Sequence, residues 1–326
     1  MATIFAYVMH QEGQLHDTAA ELATAARQID PQAQATAILA GQGADLEAAC
    51  AQAAGLFAQV WKLDHADLAR PNAEIIRPLL TSLIPRGSLL LMAHEHFGMD
   101  LAPGLSVKLG AAYLPDVVGL AGLDGASLKA VREEYAGMAR LHVSAELAGG
   151  LVISLRPGAF AALEGAAAGG AVVDKTPEAA AGGWPTTRRR YLETVAAEAG
   201  DVDITKSEVL VSVGRGIEEE DNLEIVFHLA KALGAEVSCS RPIVDAKWLE
   251  KARQVGTSGK TVKPKIYIAC GISGSSQHLG GLKGAPLVIA LNKNPKAPIF
   301  QRAEVGVAID ILKFLPLLTK AVQEAK

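Results

Sequence analysis

Short runs of strand-forming residues alternate with Ala-rich stretches of helical period along the first half of the chain. "TIFAYVM" is followed by "HDTAAELATAARQI" and then by "ATAILAG", and further strand-like runs are "SLLLMAH", "DVVGLAG", "RLHVSAEL" and "GLVISLRPG". Strands spaced by helical segments in this way predict an α/β layer structure with a largely parallel sheet. The last two runs read as a hairpin turned by Gly149 and Gly150. The alternation then lapses in "AFAALEGAAAGGAVVDKTPEAAAGGWPTTRRR", whose Ala, Gly and Pro content makes a poor continuous core, so a boundary is expected between about Gly182 and Ser207. Its "TTRRR" reads as a solvated charge run. After the boundary come the strand "EVLVSVG", an amphipathic helix in "EEDNLEIVFHLAKALG" closed by Gly234, and the strands "AEVSCS", "KIYIAC" and "PLVIALN". "IDILKFLPLLTKAVQEAK" reads as a terminal helix interrupted or started by Pro316. The expected layout is an N-terminal α/β domain over residues 1–190, a linker over 191–206 and a second α/β domain over 207–326, each a largely parallel sheet flanked by helices.

A chain of 326 residues, half of them hydrophobic, is long enough for two such domains, each with its own core. Its formal net charge of -4 gives no electrostatic footprint for nucleic acid or an anionic membrane. The three cysteines, Cys50, Cys239 and Cys270, are far apart, and two fall in strand-like runs, which suits buried thiols in a reducing compartment better than disulfides or a metal site. "MATIFAYVMHQEGQ" enters a strand without a basic leader, and no apolar run approaches the ~20 residues of a membrane span. A cytoplasmic location is expected.

Ligands of open parallel sheets bind beyond the carboxyl ends of the strands, and four such ends in the second half carry polar or glycine-rich segments. "GRG", Gly214 to Gly216, is part of a dinucleotide fingerprint or a simple tight turn. "SRPIVD" places Ser240, Arg241 and Asp245 after a strand; Arg241 suits a phosphate or a planar ring, and equally an ion pair with Asp245. In "IYIACGISGSSQHLGG", Gly271, Ser273 and Gly274 allow close backbone approach to an anion, and "SSQHLGG" could open a helix whose N-terminus favours phosphate. His278 lies one turn beyond. In "ALNKNPKAPIF", Asn292 and Lys293 edge a nucleotide or make a rigid turn. "GTSGKT" lacks P-loop spacing. "HEH", His94 to His96, is too sparse for zinc, and Cys270 reads as a buried thiol.

The second half resembles the alpha subunit of electron-transfer flavoprotein. The likeness rests on "GRG", "LAKALGAEV", "SRPIVD", "QVGTSGKTVKPKIYIACGISGSSQHLGGLKG", "VIALNKNPKAPIFQRAEVGVAID" and "LPLLT", in order and at the family's spacing. The first half matches more loosely, through "HFGMDLAPGLSVKLGAAYLPDVVGL", "YAGMARLHV" and "RPGAF". The chain departs from the commoner pattern at Pro242, Lys247, Thr257, Ser258, Ser275 and Ser276; Lys247 stands where a glycine is usual.

The resemblance implies a Rossmann-like C-terminal domain that binds FAD, and an N-terminal domain that contacts an electron-transfer flavoprotein beta subunit. It implies that Arg241 lies beside the isoalloxazine, Ser258 near its N5, and His278 at the pyrimidine edge, where donors favour the charge that reduction adds. Ser240, Gln254, Val255, Gly256, Thr257 and Gly259 belong to the flavin-proximal stretch. The loop of Gly271, Ile272, Ser273, Gly274, Ser275, Ser276 and Gln277 lines the ribityl and pyrophosphate, Asn292 and Asp310 reach the phosphate, ribose or adenine, and Gly216 and Lys293 are further cofactor-binding residues. The implied role is that of an electron carrier rather than an enzyme transforming a substrate, taking electrons from a flavin dehydrogenase and passing them to a quinone-linked oxidoreductase or other acceptor. The alternatives are the alpha subunit of an electron-bifurcating flavoprotein that oxidises NADH, and a nucleotide-cofactor enzyme domain of another class.

Overall fold

The computed structural model describes residues 3–32, 34–135, 139–163, 169–193 and 202–325. Residues 194–201 of the expected linker, with 136–138 and 164–168 of the segments quoted above, lie outside them. The chain divides into two compact units, Met1–Glu193 and Thr194–Lys326.

The first unit runs β1 (Ile4–Tyr7), a small hairpin of β2 (His10–Gln11) and β3 (Gln14–Leu15), α1 (Thr18–Ile29), β4 (Thr36–Gly41), α2 (Gly43–Ala53), β5 (Gln59–Asp64), α3 (Ala73–Leu83), β6 (Leu89–Ala93) and α4 (His96–Leu109). It continues with β7 (Ala112–Asp124), β8 (Ser127–Glu134), β9 (Ala139–Glu146), β10 (Leu151–Leu155), β11 (Ala171–Asp174) and α5 (Thr176–Ala179). The main sheet has nine strands in the order β11-β5-β4-β1-β6-β10-β7-β8-β9. Strands from β11 to β7 are parallel, and β8 and β9 continue antiparallel. Leu22 and Ala26 of α1 pack one face with Leu46 and Cys50 of α2, and Ile76 and Leu79 of α3 pack the other with Leu101 and Leu105 of α4.

Three expectations are corrected here. "RLHVSAEL" and "GLVISLRPG" do not form a hairpin: β9 pairs with β8 at the sheet edge, whereas β10 inserts between β6 and β7. All five residues of β10 are buried, the mark of a strand covered on both faces, whereas β9 has no buried residue and is mostly exposed. The Ala/Gly-rich stretch contributes a strand after all, because β11 pairs with β5 in parallel register. "TTRRR" is more than a solvated run: Arg189 forms a two-pronged ion pair with Asp100, and Thr187 donates to Glu74 at 2.8 Å.

The second unit runs β12 (Val209–Val213), α6 (Leu223–Leu233), β13 (Glu236–Cys239), α7 (Arg241–Asp245), β14 (Ile266–Cys270), α8 (Ser276–Leu279), β15 (Leu287–Asn292), β16 (Val305–Ala308) and α9 (Ile311–Glu324). Its five strands are all parallel, in the order β13-β12-β14-β15-β16. Gly234 closes α6 in the left-handed conformation. Pro316 neither starts nor interrupts α9, which is capped by the Asp310 carboxylate accepting from Leu312 N–H at 3.1 Å. Pro316 is exposed, so the carbonyl it leaves unbonded can turn to water.

The two faces of this sheet are covered differently. Val226 and Leu229 of α6, with Ile311 and Leu315 of α9, cover Val211, Val213 and Ile268. On the other face no long helix packs among the described residues; Val255, Val262, Leu282 and Ile299 from connecting segments cover Leu210, Tyr267, Ala269 and Val288. Lys247, where the commoner pattern has glycine, is held at φ +63°, a conformation that glycine adopts without strain. Among the described residues no helix is long and apolar enough to cross a membrane, and no group of His, Cys, Asp and Glu could hold a metal ion.

Candidate functional site

Because every strand of the second sheet points the same way, the segments after β12, β13, β14, β15 and β16 emerge at one edge. Numbered within the unit, the strand order is 2-1-3-4-5, so the chain leaves β12 toward β13 on one side and returns to β14 on the other. A crevice at such a reversal is where open α/β sheets bind nucleotides. Gly216, Ser240, Arg241, Gly271 to His278, Asn292, Lys293 and Asp310 all follow strands at this edge.

Glycine closes the edge between β12 and β14. A Cβ on Gly216 would lie 2.7 Å from Cα of Gly271, and one on Gly271, which has φ +63°, would lie 2.8 Å from Cα of Gly216. The Gly216 N–H donates to the Gly271 carbonyl at 3.0 Å. Gly274 is equally confined at φ +80°, its Cβ position 2.4 Å from the Ile299 nitrogen. Beyond Gly271 the backbone N–H groups of Ile272, Ser273, Gly274, Ser275, Ser276 and Gln277 donate no hydrogen bond among the described residues. Successive unspent amides form a concavity for an anion. The helix expected there is a single turn, α8, so its dipole contributes little and the amides themselves carry the attraction.

The flanking side chains divide into exposed and committed groups. Arg241 is exposed and pairs with Asp245 at 3.3 Å; a surface pair of this kind holds the guanidinium weakly. Ser240 is buried, its N–H bonded to the Val213 carbonyl at 3.0 Å. Gln254, Val255 and Gly256 are buried, whereas Thr257, Ser258 and Gly259 are exposed. The Gln254 amide donates to Ser258 Oγ at 2.9 Å, and Thr257 N–H donates to the Gln277 carbonyl at 2.8 Å, tying this loop to α8. Asn292 is spent internally, its Nδ2 on the Ile272 carbonyl at 2.8 Å and its Oδ1 accepting from Asn294 N–H at 2.9 Å. Lys293 stands between Glu218 at 3.5 Å and Asp310 at 3.6 Å, and those carboxylates hold its pKa above the usual lysine range.

His278 is not at the surface. The residue is 5 % exposed, Nε2 lies 2.7 Å from the Tyr267 hydroxyl, and Nδ1 is buried with no well-aligned hydrogen bond among the described residues. Burial pushes its pKa down to about 4, against an upward pull from a hydrogen-bonding contact with the Val255 backbone. Between about pH 6.5, the unfolded value, and about pH 4 the unfolded chain binds a proton that the folded chain refuses. Stability from this group is therefore complete above the upper limit and falls as pH drops through the window, by about 2 kcal/mol at pH 5. His278→Gln should flatten that part of the slope, which urea melts of the two proteins at pH 7 and pH 5 would reveal. Cys50, Cys239 and Cys270 are free and buried, and burial raises each thiol to about 12, so none is poised as a nucleophile.

Sequence reasoning passed over Tyr267, Glu218 and Ile299, which reach the site only through packing. Tyr267 sits in an apolar strand run like any core aromatic. A groove of about 660 Å³ between α6 and α9, lined by Ile225, His228, Lys231, Pro316 and Thr319, contains none of the candidate residues. Volume alone does not mark the site here; convergent amides and paired glycines do.

Residues 4–181 match the family described as "Electron transfer flavoprotein domain", and residues 203–283 match "Electron transfer flavoprotein FAD-binding domain". The chain belongs to the electron transfer flavoprotein family, as an alpha subunit. The alpha subunit of Mycobacterium leprae is 34% identical over 329 residues, covering 100% of both chains. That of Methylophilus methylotrophus is 39% identical over 228 residues, 69% of this chain and 68% of the relative. Protein FixB of Clostridium saccharobutylicum is 29% identical over 326 residues, 98% of this chain and 96% of its own. A solved thiamine diphosphate-dependent 4-hydroxybenzoylformate decarboxylase from Rhodococcus jostii aligns with 98% of this flavoprotein chain and 59% of its own at 10% identity, but a TM-score of 0.23 carries no argument. The cofactor of this electron transfer flavoprotein subunit is FAD, and the glycine cradle and the orphaned His278 Nδ1 suit a ligand with a pyrophosphate and polar ring edges.

Proposed function

We propose that FAD lies along the carboxyl edge of the second sheet, that the chain pairs with a beta subunit, and that the pair carries electrons from a flavin dehydrogenase to a quinone-linked oxidoreductase or another acceptor. The run of unspent amides from Ile272 to Gln277, folded against the glycine contact of Gly216 with Gly271, is the observation that supports this most directly. Such a run favours a pyrophosphate over a neutral ligand.

FAD supplies, when bound, a ring that takes up and gives back electrons. In this reading the amides of Ile272 to Gln277 hold the pyrophosphate and ribityl. Arg241, released from its weak pair with Asp245, keeps a permanent positive charge beside the ring and favours the reduced form. Gln254 orients the Ser258 hydroxyl toward the ring edge. Lys293 holds Glu218 and Asp310 together at the far end, where Asn292 fixes the turn. His278, neutral by burial, supplies a ring N–H. No side chain is asked to act as a nucleophile.

Anaerobic reductive titration of the chain co-purified with its partner, with released flavin counted, tests this. The expected result is one FAD per heterodimer, reduced through a flavin dehydrogenase and reoxidised by a quinone-linked acceptor. Two FAD, one of them reduced directly by NADH, would replace simple carriage by bifurcation. Substrate turnover by the isolated chain without flavin would move the site to another class of nucleotide enzyme.

A further inference from the structure

The loop-covered face of the second sheet hides more polar groups than its packing requires. Tyr267, fully buried on β14, places its hydroxyl 2.7 Å from Nε2 of His278. Ser212 on β12 and Ser238 on β13 are cross-strand neighbours, fully buried, and neither hydroxyl has a well-aligned hydrogen-bond partner among the described residues. Both lie near enough to the Tyr267 phenol to act on its oxygen as weak donors. Their surroundings are Leu210, Ala269, Val288 and Ala290, where strand alternation would be served as well by valine or alanine. Buried polar groups with incomplete bonding weaken a core, and such departures from the packing rules gather at functional sites.

We propose that Tyr267 is a positioning residue for the flavin site: its O–H donates to His278 Nε2, holds the imidazole in the tautomer with the proton on Nδ1, and thereby fixes which ring nitrogen can donate. The proposal rests on the reading that FAD occupies the edge beside His278. A phenol has one proton to give. Burial keeps that proton on Tyr267, and among the described residues the acceptor whose distance and angle suit it is His278 Nε2, the Ser212 and Ser238 hydroxyls reaching the phenol oxygen as donors. With that lone pair engaged, a neutral ring must carry its own proton on Nδ1. Burial keeps the ring neutral.

Nδ1 makes no well-aligned hydrogen bond among the described residues; its near neighbour is the Val255 backbone, in the turn that also holds Gly256. A Cβ on Gly256 would come 3.5 Å from Cα of His278, and one on Gly281 only 2.3 Å from the Gly256 nitrogen, so the histidine is clamped against the flavin-proximal turn. A fixed, unspent donor in a dry site is what a ligand gaining negative charge exploits. The two serines extend the column behind the phenol, where a hydroxyl turned toward its oxygen polarises the O–H and strengthens its donation to Nε2.

Long-range ¹H–¹⁵N spectra of the full-length chain labelled with ¹⁵N-histidine test the tautomer directly, with His278→Gln assigning the resonances. The wild-type spectrum, which needs no variant to fold, should show Nδ1 protonated and Nε2 bare from roughly pH 5.5 to about 7.5, where the ring stays neutral. In Tyr267→Phe the two nitrogen shifts should converge as the tautomers mix. In the FAD-loaded heterodimer the flavin midpoint potential of Tyr267→Phe should fall below wild type, and adding Tyr267→Phe to His278→Gln should shift it no further. A wild-type ring protonated on Nε2, or an unchanged tautomer in Tyr267→Phe, overturns the proposal. A lost tautomer with an unchanged potential overturns its link to the flavin. A wild-type heterodimer that binds no FAD sinks the flavin site itself, in a measurement that Tyr267 does not enter.

Discussion

Gly271→Ala is expected to strip FAD from the purified chain and to lower the stability of the second unit by about 3 kcal/mol. Part of the cost is conformational, because a side chain at φ +63° is strained by ~1–2 kcal/mol. The larger part is steric. The new Cβ would sit 2.8 Å from Cα of Gly216, 3.0 Å from its carbonyl carbon and 3.0 Å from Cδ1 of Ile311, and backbone at the mouth of a parallel sheet has no rotamer by which to yield. The ends of β12 and β14 would part, the Gly216 to Gly271 hydrogen bond would be lost, and the amides that follow would no longer converge. Gly284→Ala is the matched control: its φ is +54°, yet a Cβ there meets nothing within 4 Å. Flavin absorbance per chain and thermal melting of the two variants separate strain from clash. A Gly271→Ala protein with full FAD and a wild-type melting temperature would show that the close approach is dispensable.

Arg156→Ala is expected to cost the first unit about 3–5 kcal/mol. Arg156 follows β10 and reaches Asp116 on the adjacent β7 and Glu133 on β8, the strand beyond it. Its Nε and Nη2 meet the Asp116 carboxylate at 2.8 and 2.5 Å, and its Nη1 meets Glu133 at 2.6 Å. The guanidinium side chain is 21 % exposed, and the carboxylates are similarly shielded at 26 and 20 %. Removing the cation takes the charge-assisted bonds from two half-buried carboxylates, and Arg140, 3.5 Å from Glu133 but exposed, is a weak replacement. Asp116 is also held at φ +54°, strain that this ion pair helps to fix. Lysine cannot reproduce the two-pronged contact to Asp116 while reaching Glu133, so Arg156→Lys should recover only a small part of the loss. Thermal melts of Arg156→Ala, Arg156→Lys and the Arg156→Met/Asp116→Asn double variant measure this. If Arg156→Ala melts within about 1 kcal/mol of wild type, the network is ordinary surface pairing.

The chain's two halves, their alternating strands and helices, and the stop of α6 at Gly234 are all written locally. A period of two or of 3.6 residues, a glycine suited to a left-handed cap and an apolar run of strand length need only neighbouring residues to be read. The strings around "GISG", "QHL" and "NKNPKAPIF" likewise marked the family and its cofactor before any distance was known. The partners of these elements are another matter. β10 lies beside β6 and β7, rather than beside β9, because a strand buried on both faces is stabilised only in the sheet interior, and that depends on residues as distant as Leu89 and Ala112. Arg189 looked like a solvated charge until α4 brought Asp100 to it. His278 was legible as a polar residue after a glycine loop, but its burial against Tyr267 was not, since both belong to ordinary local patterns and their hydrogen bond exists only where α8 folds back over β14. Sequence by itself therefore determined the α/β alternation, the stop of α6 and the family, while it missed β11 and misplaced β10. Tertiary structure alone decided which glycines touch, which amides stay unspent and which charges are paired, because those contacts join residues whose approach is set by the packing of whole strands and not by their neighbours along the chain.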